Sequence, residues 1–86
     1  MWDWDEAKRQ ANLAKHGVDF AMADGFDWSS ATNEPDLRRD YGEERFKAVG
    51  FIGERLHVAI YTPRGGVRRL ISLRKANGRE IDQWLT

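Results

Sequence analysis

Between residues 61 and 76 the chain sets Arg64, Arg68, Arg69 and Arg74 among Val67, Leu70, Ile71 and Leu73, so guanidinium groups fall at strand spacing beside core-forming side chains. A half-buried guanidinium loses hydration unless it meets a carboxylate or a phosphate, and its planar fork matches phosphate through paired hydrogen bonds. The stretch therefore predicts a sheet with a cationic surface, and the anion read for it is an RNA phosphate.

Three runs have the pattern of antiparallel strands: residues 45–52, 56–62 and 67–74. Gly53-Glu54-Arg55 joins the first two and Pro63-Arg64-Gly65-Gly66 the last two, both lengths suited to hairpins. Alternation puts Phe46, Ala48, Gly50 and Ile52 on one face of the first run, with Arg45, Lys47, Val49 and Phe51 on the other. In the second run Leu56, Val58 and Ile60 oppose His57, Ala59 and Tyr61. In the third, Val67, Arg69, Ile71 and Leu73 oppose Arg68, Leu70, Ser72 and Arg74, so neither face is wholly apolar. These Arg either pair with acidic groups of the helices, reach out to water, or hold an external anion.

Helices flank this meander. Ala7, Ala11, Leu13 and Ala14 recur near helical spacing over residues 5–16, with Asp3 or Asp5 as N-cap and Gly17 as the left-handed stop. Asp19 heads a short second helix carrying Phe20 and Ala23, ended by Gly25. Residues 28–34 suggest a weak strand closed by Pro35, and residues 35–43 a loop. Asn77 and Glu80 form a capping box ahead of Ile81, Trp84 and Leu85, a stripe that packs a closing helix on the sheet. The fold class read from this order is α+β in two layers: two N-terminal helices, an antiparallel meander of three to four strands, and a C-terminal helix.

At 86 residues, residues 1–86 make one domain with one core. There is no cysteine, no apolar run of membrane-spanning length, and an acidic N-terminus where a signal peptide would be basic, so a cytoplasmic protein is expected. The formal net charge is zero, yet residues 1–44 hold 11 acidic and 5 basic side chains while residues 45–86 hold 3 and 9. That division lets one face attract a polyanion if the halves stay apart in space.

Two His and no Cys, without HxxxH or EF-hand spacing, leave no constellation for a metal, and no P-loop or nucleophile elbow is present. No cofactor is expected. A cationic site of this kind suits RNA cleavage by attack of the 2′-hydroxyl on its own phosphate, which needs a proton acceptor, cations around the phosphorane and a proton donor for the leaving oxygen. Arg64, Arg69 and Arg74 are candidates for the charge, and His16, Lys15, Glu44 or Tyr61 for proton transfer. Arg45, Lys47, Arg69 and Lys75 are candidates for binding the RNA backbone. For Lys15 and His16 a simpler role, complementing the helix dipole, stays open.

Trp4-Asp5-Glu6-Ala7-Lys8, Asn12 and Lys15-His16-Gly17-Val18-Asp19-Phe20 resemble the opening of the BrnT toxins. Glu44-Arg45, Tyr61-Thr62-Pro63-Arg64, Arg69-Leu70-Ile71-Ser72-Leu73-Arg74-Lys75-Ala76 and Glu80 follow in that family's order, so the resemblance spans nearly the whole chain. It implies a RelE-like fold, RNA cleavage that arrests translation, and neutralisation by a BrnA-like antitoxin with a ribbon-helix-helix DNA-binding domain, DNA being reached only through that partner. It also implies that Arg64 and Arg74 match positions tied to toxicity, and that Lys15, His16 and Glu44 match recurrent polar positions. The alternative is a module that binds antitoxin or nucleic acid without chemistry, a degenerate toxin.

Overall fold

The computed structural model describes residues 2–38 and 40–85. The chain runs through β1 (Trp2–Trp4), α1 (Glu6–His16), a 3₁₀ helix (Phe20–Gly25), β2 (Thr32–Pro35), β3 (Phe46–Ile52), β4 (Arg55–Arg64), β5 (Val67–Lys75) and α2 (Gly78–Leu85). The strands form one five-stranded sheet in the order β1-β5-β4-β3-β2, antiparallel except for β1, which lies parallel to β5.

The α+β class holds, with two corrections. The second N-terminal helix is a 3₁₀ helix: only a few residues separate Gly17 from Gly25, and burying Phe20 and Ala23 three apart suits the tighter winding. The sheet is mixed rather than a pure meander, because Trp2, Asp3 and Trp4 pair with Arg68, Arg69 and Leu70. Trp2 and Trp4 are half-buried and Asp3 is exposed, the alternation of an edge strand. Asp3 thus belongs to β1, and Asp5 is the N-cap of α1, accepting from the Lys8 N–H at 3.2 Å. Gly17 closes α1 at φ 69°, its N–H donating to the Leu13 carbonyl at 2.8 Å. The expected loop 35–43 connects β2 to β3; its Arg39 lies outside the described residues.

β4 is central and buried from Leu56 to Thr62, since both faces of the sheet are covered. On one face Phe20, Ala23 and Phe26 join Ala48, Ala59, Tyr61, Leu70 and Leu73, ringed by Trp2, Trp4 and Trp28. On the other, Ile81 and Trp84 of α2 pack against Val49, Phe51, Leu56, Val58 and Ala76. The eight residues of α2 cover only part of this second face, and what they leave open is the floor of the site.

Candidate functional site

Above Ile60 of β4 and Ile71 and Ser72 of β5 opens a cleft of about 370 Å³. Lys15 and His16 enter it from the end of α1, Arg38, Tyr41 and Arg45 from the β2–β3 connection, Lys47 from the start of β3, and Arg74 from β5. No carboxylate among the described residues lines it.

Local features of the sequence bring these side chains together. Asn12 fixes α1 against the edge of β5: its amide donates to the Leu73 carbonyl at 2.7 Å and the Val18 carbonyl at 3.0 Å, and its oxygen accepts from the Leu73 N–H at 3.2 Å. An amide side chain thus takes the place of a neighbouring strand where β1 has ended, and the end of α1 is held beside β5. A bulge in β5 completes the floor. Ile60 pairs with Ser72 and Tyr61 with Leu70, leaving Ile71 as the extra residue. The bulge shifts the alternation, so that Leu70 and Leu73 both enter the core while Ile71, Ser72 and Arg74 line the cleft.

Glu80 stands behind the cleft. Its two oxygens accept from Arg74 Nη1 at 2.7 Å and Nη2 at 2.8 Å, and Lys47 Nζ lies 3.7 Å away. The same carboxylate accepts from the Asn77 N–H, and Asn77 Oδ1 accepts from the Glu80 N–H, both at 2.9 Å, so the expected capping box forms. The Arg74 hydrogen bonds hold the Glu80 carboxyl down at about 2, and the pair raises the Arg74 pKa further above its ordinary value. Arg74 is engaged through its terminal nitrogens, and its Nε–H makes no hydrogen bond among the described residues.

Other cleft cations are also partly balanced. Arg38 forks onto buried Asp36 at 2.8 and 2.9 Å, lowering the carboxyl's pKa, and Arg45 donates to Glu43 at 3.1 Å while stacking 3.9 Å from the Tyr41 ring. Lys15 has no carboxylate partner among the described residues. With Lys47 and Arg74 sharing Glu80, the five permanent cations of the cleft outnumber their carboxylates. His16 has its pKa lowered, first by desolvation and then by Lys15 and Arg74, so its imidazole is neutral and able to accept a proton at pH 7.

The model of the family described as ribonuclease toxin, BrnT, of type II toxin-antitoxin system matches residues 4–80. The chain belongs to the BrnT toxin family. No curated protein matches it.

In this BrnT-family chain the residues singled out from sequence divide into two groups. Lys15, His16, Arg45, Lys47 and Arg74 meet at the cleft. Arg64 and Arg69 do not line it: Arg64 lies 3.9 Å from Glu43 at the exposed end of β4, and Arg69 lies 3.6 Å from Asp3. Glu44 lines an adjoining depression with Glu43 and Asp36, and Lys75 is exposed at the end of β5. Tyr61 lies in the opposite core, 4% exposed, with its hydroxyl donating to Asn33 at 3.0 Å.

The cations therefore gather from α1, the β2–β3 connection, β3 and β5, and not from the β4–β5 hairpin alone. Arg68 is turned to the other face, 4.2 Å from the Trp28 ring. Sequence reasoning missed Arg38, Tyr41 and Ser72. The first two sit in a connection without periodicity, and the bulge that brings Ser72 beside Ile71 leaves no mark on a two-residue alternation. No helix among the described residues is long and apolar enough to cross a membrane.

Proposed function

We propose that this BrnT-family toxin is an endoribonuclease acting in the cytoplasm, and that the cleft between α1, β5 and the β2–β3 connection is where it cleaves RNA. The observation that carries the reading is a neutral His16 imidazole among Lys15, Arg45, Lys47 and Arg74, in a family of ribonuclease toxins. His16 takes the proton from a ribose 2′-hydroxyl, whose oxygen then forms a bond to the adjacent phosphorus. Arg74, with Arg45 and Lys47, stabilises the dianionic phosphorane. The bond from phosphorus to the 5′-oxygen breaks as Lys15 supplies a proton to it, leaving a 2′,3′-cyclic phosphate and a free 5′-hydroxyl. The step needs neither metal nor cofactor.

The partner in this reading is a BrnA-like ribbon-helix-helix antitoxin, and the fold is RelE-like, with residues 1–86 as one toxin domain. Incubating the purified chain with total RNA in the presence of a chelator tests the activity; the expected result is fragments ending in cyclic phosphate. A second reading has its own support. Four of the cleft cations already face carboxylates, which fits a chain that keeps antitoxin binding without cleavage. Intact RNA under those conditions, with antitoxin binding retained, would favour it.

A further inference from the structure

The cleft does not end at His16. A second depression of about 270 Å³ runs between α1 and the edge of β5, and it shares Lys15, His16, Ile71 and Ser72 with the cleft while adding Lys8. The two adjoin at these four residues, making a groove along α1 and β5. Among the described residues no carboxylate lines the extension, and Lys8, like Lys15, has no carboxylate partner. The acidic groups near this part of α1 are already engaged: Arg9 donates to Glu6 at 2.8 Å and to Asp19 at 3.0 Å.

We propose that this groove is the path of the RNA strand flanking the cleaved phosphate, and that Lys8 holds a flanking phosphate; the inference rests on the cleft being the RNA site. Lys8 and Lys15 are seven residues apart on one helix face, about 10 Å along the axis. Two ammonium groups at that separation follow an extended polyanion without demanding a sequence. The floor between them, with apolar Ile71 and the Ser72 hydroxyl, bears no charge to repel phosphate. An acidic protein segment would meet the same two ammonium groups. RNA is favoured because the groove opens directly onto the neutral His16, which gives a nucleic-acid strand a reason to pass there.

The test is binding of 2′-O-methyl RNA, which cannot be cleaved, measured by fluorescence anisotropy across a salt series. One oligonucleotide is about 12 nucleotides long and the other about 4, within the range that single-strand sites span. Wild-type protein is compared with Lys8→Gln and with Arg79→Gln, an exposed α2 cation outside both depressions. On the long strand Lys8→Gln should lower the slope of log Kd against log salt by about 0.7, the loss of one phosphate contact. Between about 50 and 200 mM salt, wild type should then weaken about 2.6-fold more than the variant. The short strand should bind both alike, and Arg79→Gln should change neither slope.

An unchanged slope for Lys8→Gln on the long strand, or an equal loss on the short one, overturns the groove assignment while leaving the cleft intact. Weakened antitoxin binding with unchanged RNA binding assigns the groove to a protein and overturns it too. Failure of wild type to bind either strand removes the RNA reading of the cleft, and this inference with it. Circular dichroism of the variants, expected to match wild type, excludes unfolding as the cause.

Discussion

Glu80 grips Arg74 with both carboxylate oxygens, at 2.7 and 2.8 Å, while closing the capping box of α2 with Asn77. A single side chain thus ties the start of α2 to the guanidinium at the cleft. Its carboxyl is held at about 2, against an ordinary 4.5, chiefly by the Arg74 hydrogen bonds. A depressed carboxyl stabilises the fold above pH 4.5, and that stability is lost as pH falls through about 2. Glu80→Gln should therefore lose about 2–3 kcal/mol at pH 7 and flatten the decline in stability between pH 4.5 and 2. Urea unfolding at a series of pH values measures this; a variant whose curve parallels wild type would contradict it.

Asn12 supplies two donated hydrogen bonds and accepts one, all buried. Asn12→Ala should cost about 2–4 kcal/mol by leaving the Leu73 and Val18 groups unpaired. Asn12→Asp should cost more at neutral pH, because a carboxylate cannot donate to two carbonyls, and should recover in part as acid protonates it. Denaturant titrations at two pH values would show this; an Asp variant as stable as wild type would rule out the assigned bonding.

His57 is 2% exposed, with Nδ1 2.8 Å from the Arg55 carbonyl and Nε2 without a partner among the described residues. Burial is the main cause that lowers its pKa; the hydrogen bond to the Arg55 carbonyl opposes it, and the charges of Arg55 and Lys75 lower it a little further. Below about pH 6.5 the unfolded chain takes up a proton that the folded chain resists, so stability should fall with pH from there down to the folded pKa. His57→Leu should make that slope shallower, leaving the smaller part due to His16; thermal melts between pH 7 and 5 that decline equally in both proteins would count against it.

Much of this architecture can be read from the residues, and the failures have identifiable causes. The faces of β3 and β4 follow strict alternation, so Ala48, Ala59 and Val58 fall where the pattern puts them. In β5 the bulge at Ile71 breaks the two-residue period, which is why a strand with no clean face still buries both Leu70 and Leu73 completely. β1 is three residues long, and its pairing partner lies more than sixty residues away in sequence, too distant for a local pattern to reveal. For the candidate site, Lys15, His16 and Arg74 could be singled out by residue type, but which arginines line the cleft could not. Arg64 and Arg74 look alike in sequence, and only the position of α1 and α2 on the sheet separates them.

His16 as proton acceptor predicts a pH profile. Its lowered pKa places the acid limb of kcat/KM below pH 6.5, with activity falling as the imidazole becomes protonated. Single-turnover rates on a mapped RNA site would follow it. His16→Gln should slow cleavage by about 10²–10⁴ and abolish that limb. Retention of both the rate and the limb would remove His16 from the mechanism.

The most direct measurement is RNA cleavage by purified Arg74→Ala beside wild type, in a chelator, with unfolding curves taken on the same samples. Wild type should produce cyclic-phosphate ends, and the folded variant should be slower by about 10²–10³. Cleavage by a folded Arg74→Ala at the wild-type rate would contradict the cleft as the catalytic site.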